Sequence, residues 1–449
     1  MSVRAVPSLG PTRKLTLPKT AERALSNGLS VIAIRRASVP LVELRLRIPM
    51  PSTKLSRPYV ARTSLLSQTM LSGTSQMSTV DIAAELQTVG GALNVGCDPD
   101  RLLVSGNSLV SGFDRILGIL SDVLTDAAYP PDEVSTERER LVDRIQVAQS
   151  QPSFLARAAL LRRIYREHPY AIQSPGPTQV RSVTPRTLRS LHEDRVHPAG
   201  ATLVIVGDLP TNRALDAAEQ ALSGWDGGGK RVRQPPVPPL APGPLTLVDR
   251  PDSVQSSLRL ALPAVPRTHP DHAALQLANL IFGGYFSSRW VENIREDKGY
   301  TYGPHSSVEH SVAGSMLMTS AEVATEVTAP ALVETLYELG RMATLPPKED
   351  ELEQARQYAL GSLQLAISTQ AGLASFASTY AGFGLRLDYL TEHAAGLAKA
   401  TREDVAAAAA RYLAPAGAVT VVLGDAAKVE PAIAAVLPVE RAPLPVDDE

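Results

Sequence analysis

The chain holds a single cysteine, Cys97, among 449 residues. That excludes an intrachain disulfide and any zinc or iron–sulfur centre built from cysteines. Aromatic residues make up only 4%, too few for the stacking platforms that bind single-stranded nucleic acid. No one sign of charge dominates: 44 Lys and Arg face 46 Asp and Glu. There is no broad basic field for nucleic acid or anionic lipid. No run of about 18 apolar residues occurs, so no membrane-spanning helix is expected. The first 21 residues are basic, with Arg4, Arg13, Lys14 and Lys19, but Pro7, Pro11 and Pro18 oppose the amphipathic helix of a transit peptide. These features lead us to expect a cytoplasmic protein with a flexible N-terminal arm over residues 1–21 and no nucleic acid or membrane partner.

The chain does contain a repeat. His197–Asp208 reads HPAGATLVIVGD and Ala414–Asp425 reads APAGAVTVVLGD, identical at seven of twelve positions. Thr184 and Thr401 stand at the same offset, each before a helix-like run. LRLRIP at Leu44–Pro49 matches LRLALP at Leu258–Pro263, and Pro130–Glu133 matches Pro346–Glu349, in the same order. Short matches are weak one at a time and gain force from a consistent offset. Between the copies, residues 226–244 read DGGGKRVRQPPVPPLAPGP, a flexible and then semi-rigid spacer that cannot build a packed element.

The expected organisation is therefore an N-terminal lobe over 22–225, a linker over 226–244, a C-terminal lobe over 245–430 and a tail over 431–449. Apolar alternation predicts paired strands at 29–34 and 42–48, with further strands at 102–105 and 203–206. Helical spacing predicts helices at 80–88, capped by Ser78 or Thr79, and at 113–124 and 349–365. Tight-turned strands with segregated helices indicate α+β lobes, each a mostly antiparallel sheet packed with helices, rather than a doubly wound parallel sheet. Two such lobes on a strap form a clamshell, and a cleft between domains is a favoured place for a site.

Several motifs resemble the inverted-zincin metallopeptidases of the pitrilysin, insulinase and mitochondrial-processing-peptidase type. They are LSNGLSV from Leu25, Gly73-Thr74, Gly90-Gly91 with Asn94, His168-Pro169-Tyr170, both strands ending in Gly-Asp, and Gly283-Gly284 leading to Ser287-Ser288-Arg289. The family hallmark is H-x-x-E-H on a helix, two imidazoles at i and i+4 for one zinc and a carboxylate to take a proton from its water. Anchored on Gly73-Thr74, this chain departs from it: Ser64 and Gln68 stand at the histidine positions and Ser67 at the general base. The third ligand, a glutamate about 76 residues on, falls on Arg144 by ungapped counting, with Asp143 one residue away. No zinc site of the family type is expected here, because three or four protein ligands are normally required.

The other histidines suggest no replacement site. His269 and His272 read as a solvated turn with Asp271 capping the following helix, and His305 and His310 as flanks of a strand. We expect this chain to hold no metal.

The second lobe retains Arg295-Glu-Asp-Lys-Gly-Tyr-Thr-Tyr302. This resembles the family pair that reaches across to the zinc of a facing lobe. By that resemblance Arg295 positions the peptide, and the Tyr302 hydroxyl holds the carbonyl oxygen as charge develops on it. Tyr300 competes for the second role. Gly299 sits where a helix could end in a left-handed residue, returning Tyr302 towards Arg295. Gly283 and Gly284 would let a backbone approach closely. The resemblance implies a non-catalytic subunit of a bacterial heterodimeric metallopeptidase, inactive alone, that completes a closed chamber for a peptide. A homologous partner bearing H-x-x-E-H would supply the zinc. The alternative is a structural scaffold or a peptide-binding pseudopeptidase.

Overall fold

The computed structural model describes residues 15–226 and 232–445. Its strands are β1 (Thr20–Ala24), β2 (Ser30–Arg35), β3 (Leu41–Pro49), β4 (Ala92–Asp98), β5 (Arg101–Leu109), β6 (Thr202–Gly207), β7 (Leu245–Asp249), β8 (Gln255–Pro263), β9 (His305–Ser311), β10 (Gly314–Ala324), β11 (Val419–Gly424) and β12 (Val439–Ala442). They form two six-stranded sheets, ordered β1-β2-β6-β3-β5-β4 and β12-β7-β11-β8-β10-β9. Five strands correspond one to one, so the duplication is structural. The edge positions differ: β1 is antiparallel to β2, whereas β12, from the other end of the chain, is parallel to β7. The second sheet therefore extends past residue 430, into the stretch expected to be a tail.

The lobes are α+β and mostly antiparallel, as expected. The strands at 29–34 and 42–48 exist as β2 and β3 but do not pair. β6 lies between them, parallel to β2 and antiparallel to β3. The reason is burial. LVIV within β6 and the whole of β11 are buried, as continuous apolar runs are when both faces of a strand are covered. Such a run belongs at the centre of a sheet, not outside a hairpin. Of the predicted caps Ser78 is present, in a capping box with Asp81, and Thr184 with Thr187 and Thr401 with Asp404 form capping boxes at the starts of the two repeated helices.

The second face of each sheet is covered by the other lobe. Helix Pro152–Tyr165 of the first lobe packs on β8 and β11, and helix Gln370–Gly382 of the second packs on β3 and β6. Each follows the long helix of its repeat, Pro131–Ser150 or Glu349–Ala366, so the exchange is reciprocal. One mixed core joins Leu155, Leu160 and Ile164 to Val248, Val421 and Leu423. The other joins Ile34, Val204 and Val206 to Leu373, Ala377 and Tyr380. Gly382, the last residue of the second exchanged helix, lets the Arg47 guanidinium pack close: a Cβ there would lie 2.4 Å from its central carbon. At the seam, Tyr170 donates to the Asp100 carboxylate, which accepts from the Val312 amide at 3.0 Å.

Of the linker, residues 227–231 lie outside the described residues. The remainder runs without helix or strand and is pinned to the first lobe by His168 Nε2 against the Pro235 carbonyl (2.9 Å). Among the described residues no helix is long and apolar enough to cross a membrane.

Candidate functional site

In the first lobe, helix Arg57–Thr69 is capped by Ser56 and packs against helix Pro131–Ser150. This brings the positions of the lost metal motif together. The Arg144 guanidinium donates to Gln68 Oε1 at 2.5 Å, so Arg144, not Asp143, faces the former histidine position. Glu137 lies 3.8 Å from Arg144. Ser67 is buried, and its hydroxyl donates to the Ser64 carbonyl at 2.8 Å and lies 3.6 Å from Cys97 Sγ. Burial pushes the Cys97 thiol up, opposed by hydrogen bonding from Ser67 and Ser64. Ser64 and Cys97 line a cavity of about 270 Å³ with Met50, Tyr59, Leu141 and Ile172. A guanidinium bonded to an amide does not fit zinc: neither offers a basic lone pair, and the cation repels the ion. Among the described residues no group of three or more His, Cys, Asp or Glu is arranged to hold a metal.

The second lobe's pair is built on a distorted helix. Glu292–Asp297 is π-helical, as is Leu280–Gly284 before it, a form frequent at functional sites. The helix ends at Gly299, whose φ of 66° is left-handed, with its amide on the Arg295 carbonyl at 3.1 Å and the Tyr300 amide on the Ile294 carbonyl at 2.8 Å. The chain turns back, and the Tyr302 ring comes to 4.9 Å from the Arg295 guanidinium carbon. The Phe286 ring lies 4.4 Å from the same carbon, a residue the sequence reading missed. Both rings thus lie against the cation, with Glu296 at 3.2 Å as its ion-pair partner.

Tyr302 is 87% exposed and Phe286 59%. Tyr300 packs against the core of its lobe. The two tyrosines therefore do not share a face: residues 300–304 precede β9 and are not strand. Of the two, Tyr302 is the exposed one. The glycines serve internal packing. A Cβ on Gly283 would meet the Trp290 ring at 2.8 Å, and one on Gly284 would meet Asn279 at 2.9 Å. Among the described residues neither Gln68 nor Arg144 makes a hydrogen bond, ion pair or ring contact with Arg295 or Tyr302.

The turn at 269–272 is not simply solvated. Asp271 stands at the helix start without capping it; its carboxylate accepts from Tyr412 at 2.6 Å and Arg411 at 3.1 Å. His272 is 4% exposed and meets His310, which lies within β9, at 3.3 Å between Nε2 atoms. Its ring centroid is 4.8 Å from that of His393. The Tyr389 hydroxyl lies 3.2 Å from His272 Nδ1. Three distant segments supply these rings, and no local motif announces them.

Two family models match the chain, one described as insulinase (peptidase family M16) over residues 62–178 and one as peptidase M16 inactive domain over 182–358. The chain belongs to peptidase family M16, the insulinase family. An uncharacterized zinc protease of Rickettsia felis is 23% identical over 280 residues, covering 62% of this chain and 67%, about two thirds, of its own length. A probable inactive metalloprotease of Bacillus subtilis, YmfF, is 22% identical over 378 residues, 83% of this chain and 85% of its own. The crystal structure of a peptidase M16 inactive domain from Pseudomonas fluorescens superposes with a TM-score of 0.82 at 23% identity, covering 90% of this chain and 98% of that one. The M16 fold thus spans both lobes. The insulinase match includes Ser64, Gln68 and Arg144, and the inactive-domain match includes Arg295 and Tyr302.

Proposed function

We propose that this M16 chain is the zinc-less subunit of a heterodimeric metallopeptidase, located in the cytoplasm. A homologous partner bearing H-x-x-E-H supplies the zinc, which when bound activates water for attack on a peptide carbonyl. This chain supplies half of the chamber and the Arg295–Tyr302 pair. The Tyr302 phenol donates to the carbonyl oxygen as negative charge develops there. Arg295, in contact with two rings, offers its remaining donors to peptide carbonyls. Gly283 and Gly284, the other expected peptide contacts, act here only through packing against Trp290 and Asn279. The observation that carries the reading is an outward-facing Phe286–Arg295–Tyr302 stack on a chain whose own metal positions hold a Gln–Arg hydrogen bond. The Arg295–Glu296 ion pair favours the alternative, a structural scaffold or peptide-binding pseudopeptidase in which both are surface residues.

Gentle co-purification, with bound zinc measured, would identify the partner; about one zinc per pair is expected. In the reconstituted complex Tyr302→Phe should lower turnover by about 100- to 1,000-fold with the complex intact. An unchanged rate sinks the proposal and leaves the scaffold.

A further inference from the structure

Arg267 is a partly buried cation with no carboxylate partner among the described residues. Its guanidinium lies over the rings of Phe383 (5.5 Å) and Tyr380 (5.8 Å). Its Nε is buried with no hydrogen-bond partner, and no carboxylate stands within ion-pair distance among the described residues. Burial pushes its pKa down, opposed by Tyr380 and Tyr389 and by no carboxylate. Ring faces offset part of the cost of desolvating a cation but carry no net charge. The Nε donor is left without a partner, and an acceptor reaching it would satisfy it.

Arg267 lines a cavity of about 570 Å³ between the strap at Val237–Leu240 and the β9–β10 hairpin at His310–Met316, with Pro263, Ala264 and Phe383. The lining is mainly apolar and contains no acidic side chain. His310 adds no charge. Its Nδ1 lies 2.7 Å from the Ser315 hydroxyl, its Nε2 faces His272, and burial holds it neutral with a pKa of about 3. The cavity therefore presents one fixed positive charge within an apolar wall, the complement of one carboxylate on an apolar body.

We propose that this cavity binds the C-terminal carboxylate of a short apolar peptide, with Arg267 as the carboxylate anchor. A guanidinium and a carboxylate match in shape as well as charge, and the strap and hairpin would flank the apolar residues that precede it. The choice of a peptide over another carboxylate rests on the peptide-handling role proposed above. Binding is measured on the isolated chain without a partner, so its failure and that of the subunit reading are separable.

The test is calorimetric titration of the full chain with acetyl-Ala-Val-Leu-Ala as the free acid, with the same peptide as its C-terminal amide, and with octanoate. The acid should bind, and the amide should bind about tenfold more weakly or worse. Arg267→Gln should bring the acid down to the level of the amide. Val312, 47% exposed at the rim, gives a second variant less prone to disturb folding: Val312→Asp should also weaken the acid about tenfold by like charge. Equal binding of acid and amide, binding of octanoate alone, or no binding of either peptide overturns the proposal.

Discussion

Arg144 and Gln68, 76 residues apart in the chain, share a hydrogen bond of 2.5 Å across two packed helices. The bond occupies the two positions that, in the metallopeptidase pattern, would ligate one zinc from two elements. The scaffold that would bring ligands together is thus intact, and the donor chemistry is what has changed.

That separation predicts how zinc binding could be restored. Ser64→His with Gln68→His alone should bind zinc poorly, because the Arg144 guanidinium remains beside the new imidazoles. Adding Arg144→Glu supplies the third ligand and removes the repelling charge. Elemental analysis after dialysis should show about one zinc per chain for the triple variant and much less for the double. Equal zinc in the two would mean that Arg144 does not govern the site.

The exchanged helices predict that neither lobe is an independent folding unit. Leu373 belongs to the second lobe but is fully buried in the core on β6 of the first, and Leu160 holds the reciprocal place on β8 and β11. Leu373→Ala and Leu160→Ala should each cost about 2–5 kcal/mol. Each should lower a single calorimetric transition rather than split it. Two separated transitions in either variant would show that the lobes unfold independently and that the mixed cores are weak. If the lobes melt together, opening and closing of a reaction chamber must occur between chains, which is what a heterodimer requires.

Much of this architecture is legible in the sequence because its signals are local. The apolar runs of β6 and β11, the Ser78, Thr184 and Thr401 caps and the left-handed Gly299 each depend on a few adjacent residues. Counting 76 residues from Gln68 reaches the side chain that bonds it, Arg144. What escaped is relational. Helix Pro152–Tyr165 buries eight residues, but composition cannot say whose sheet covers them. Phe286 is an ordinary exposed aromatic until the π-helix brings Arg295 beneath it. His272 reads as a turn residue until β9 and helix Tyr389–Lys399 deliver His310 and His393.

Those three histidines make a prediction of their own. Burial is the main cause that holds His272 at about 2, His310 at about 3 and His393 at about 4. Repulsion among them adds to it for His272 and His310, and the Arg267 charge acts on all three. Each lies below the ordinary histidine value of about 6.5, so the folded state binds fewer protons than the unfolded chain between those limits. Their contribution to stability is fully present above about pH 6.5. It is lost as pH falls towards about 4, with a slope near pH 5 of up to about 4 kcal/mol per pH unit for three protons. Carboxylates titrate in the same range, so the decisive comparison is with a variant lacking one ring. His393→Gln can keep a polar contact with Gln276, which now meets His393 Nε2 at 2.7 Å, while removing one titrating group. Denaturant unfolding measured between pH 7.5 and 5 should show a shallower fall for this variant, by about 1.4 kcal/mol per pH unit. Parallel curves would mean that His393 takes up its proton in the folded protein, and that the cluster is open to water rather than sealed beneath Arg267.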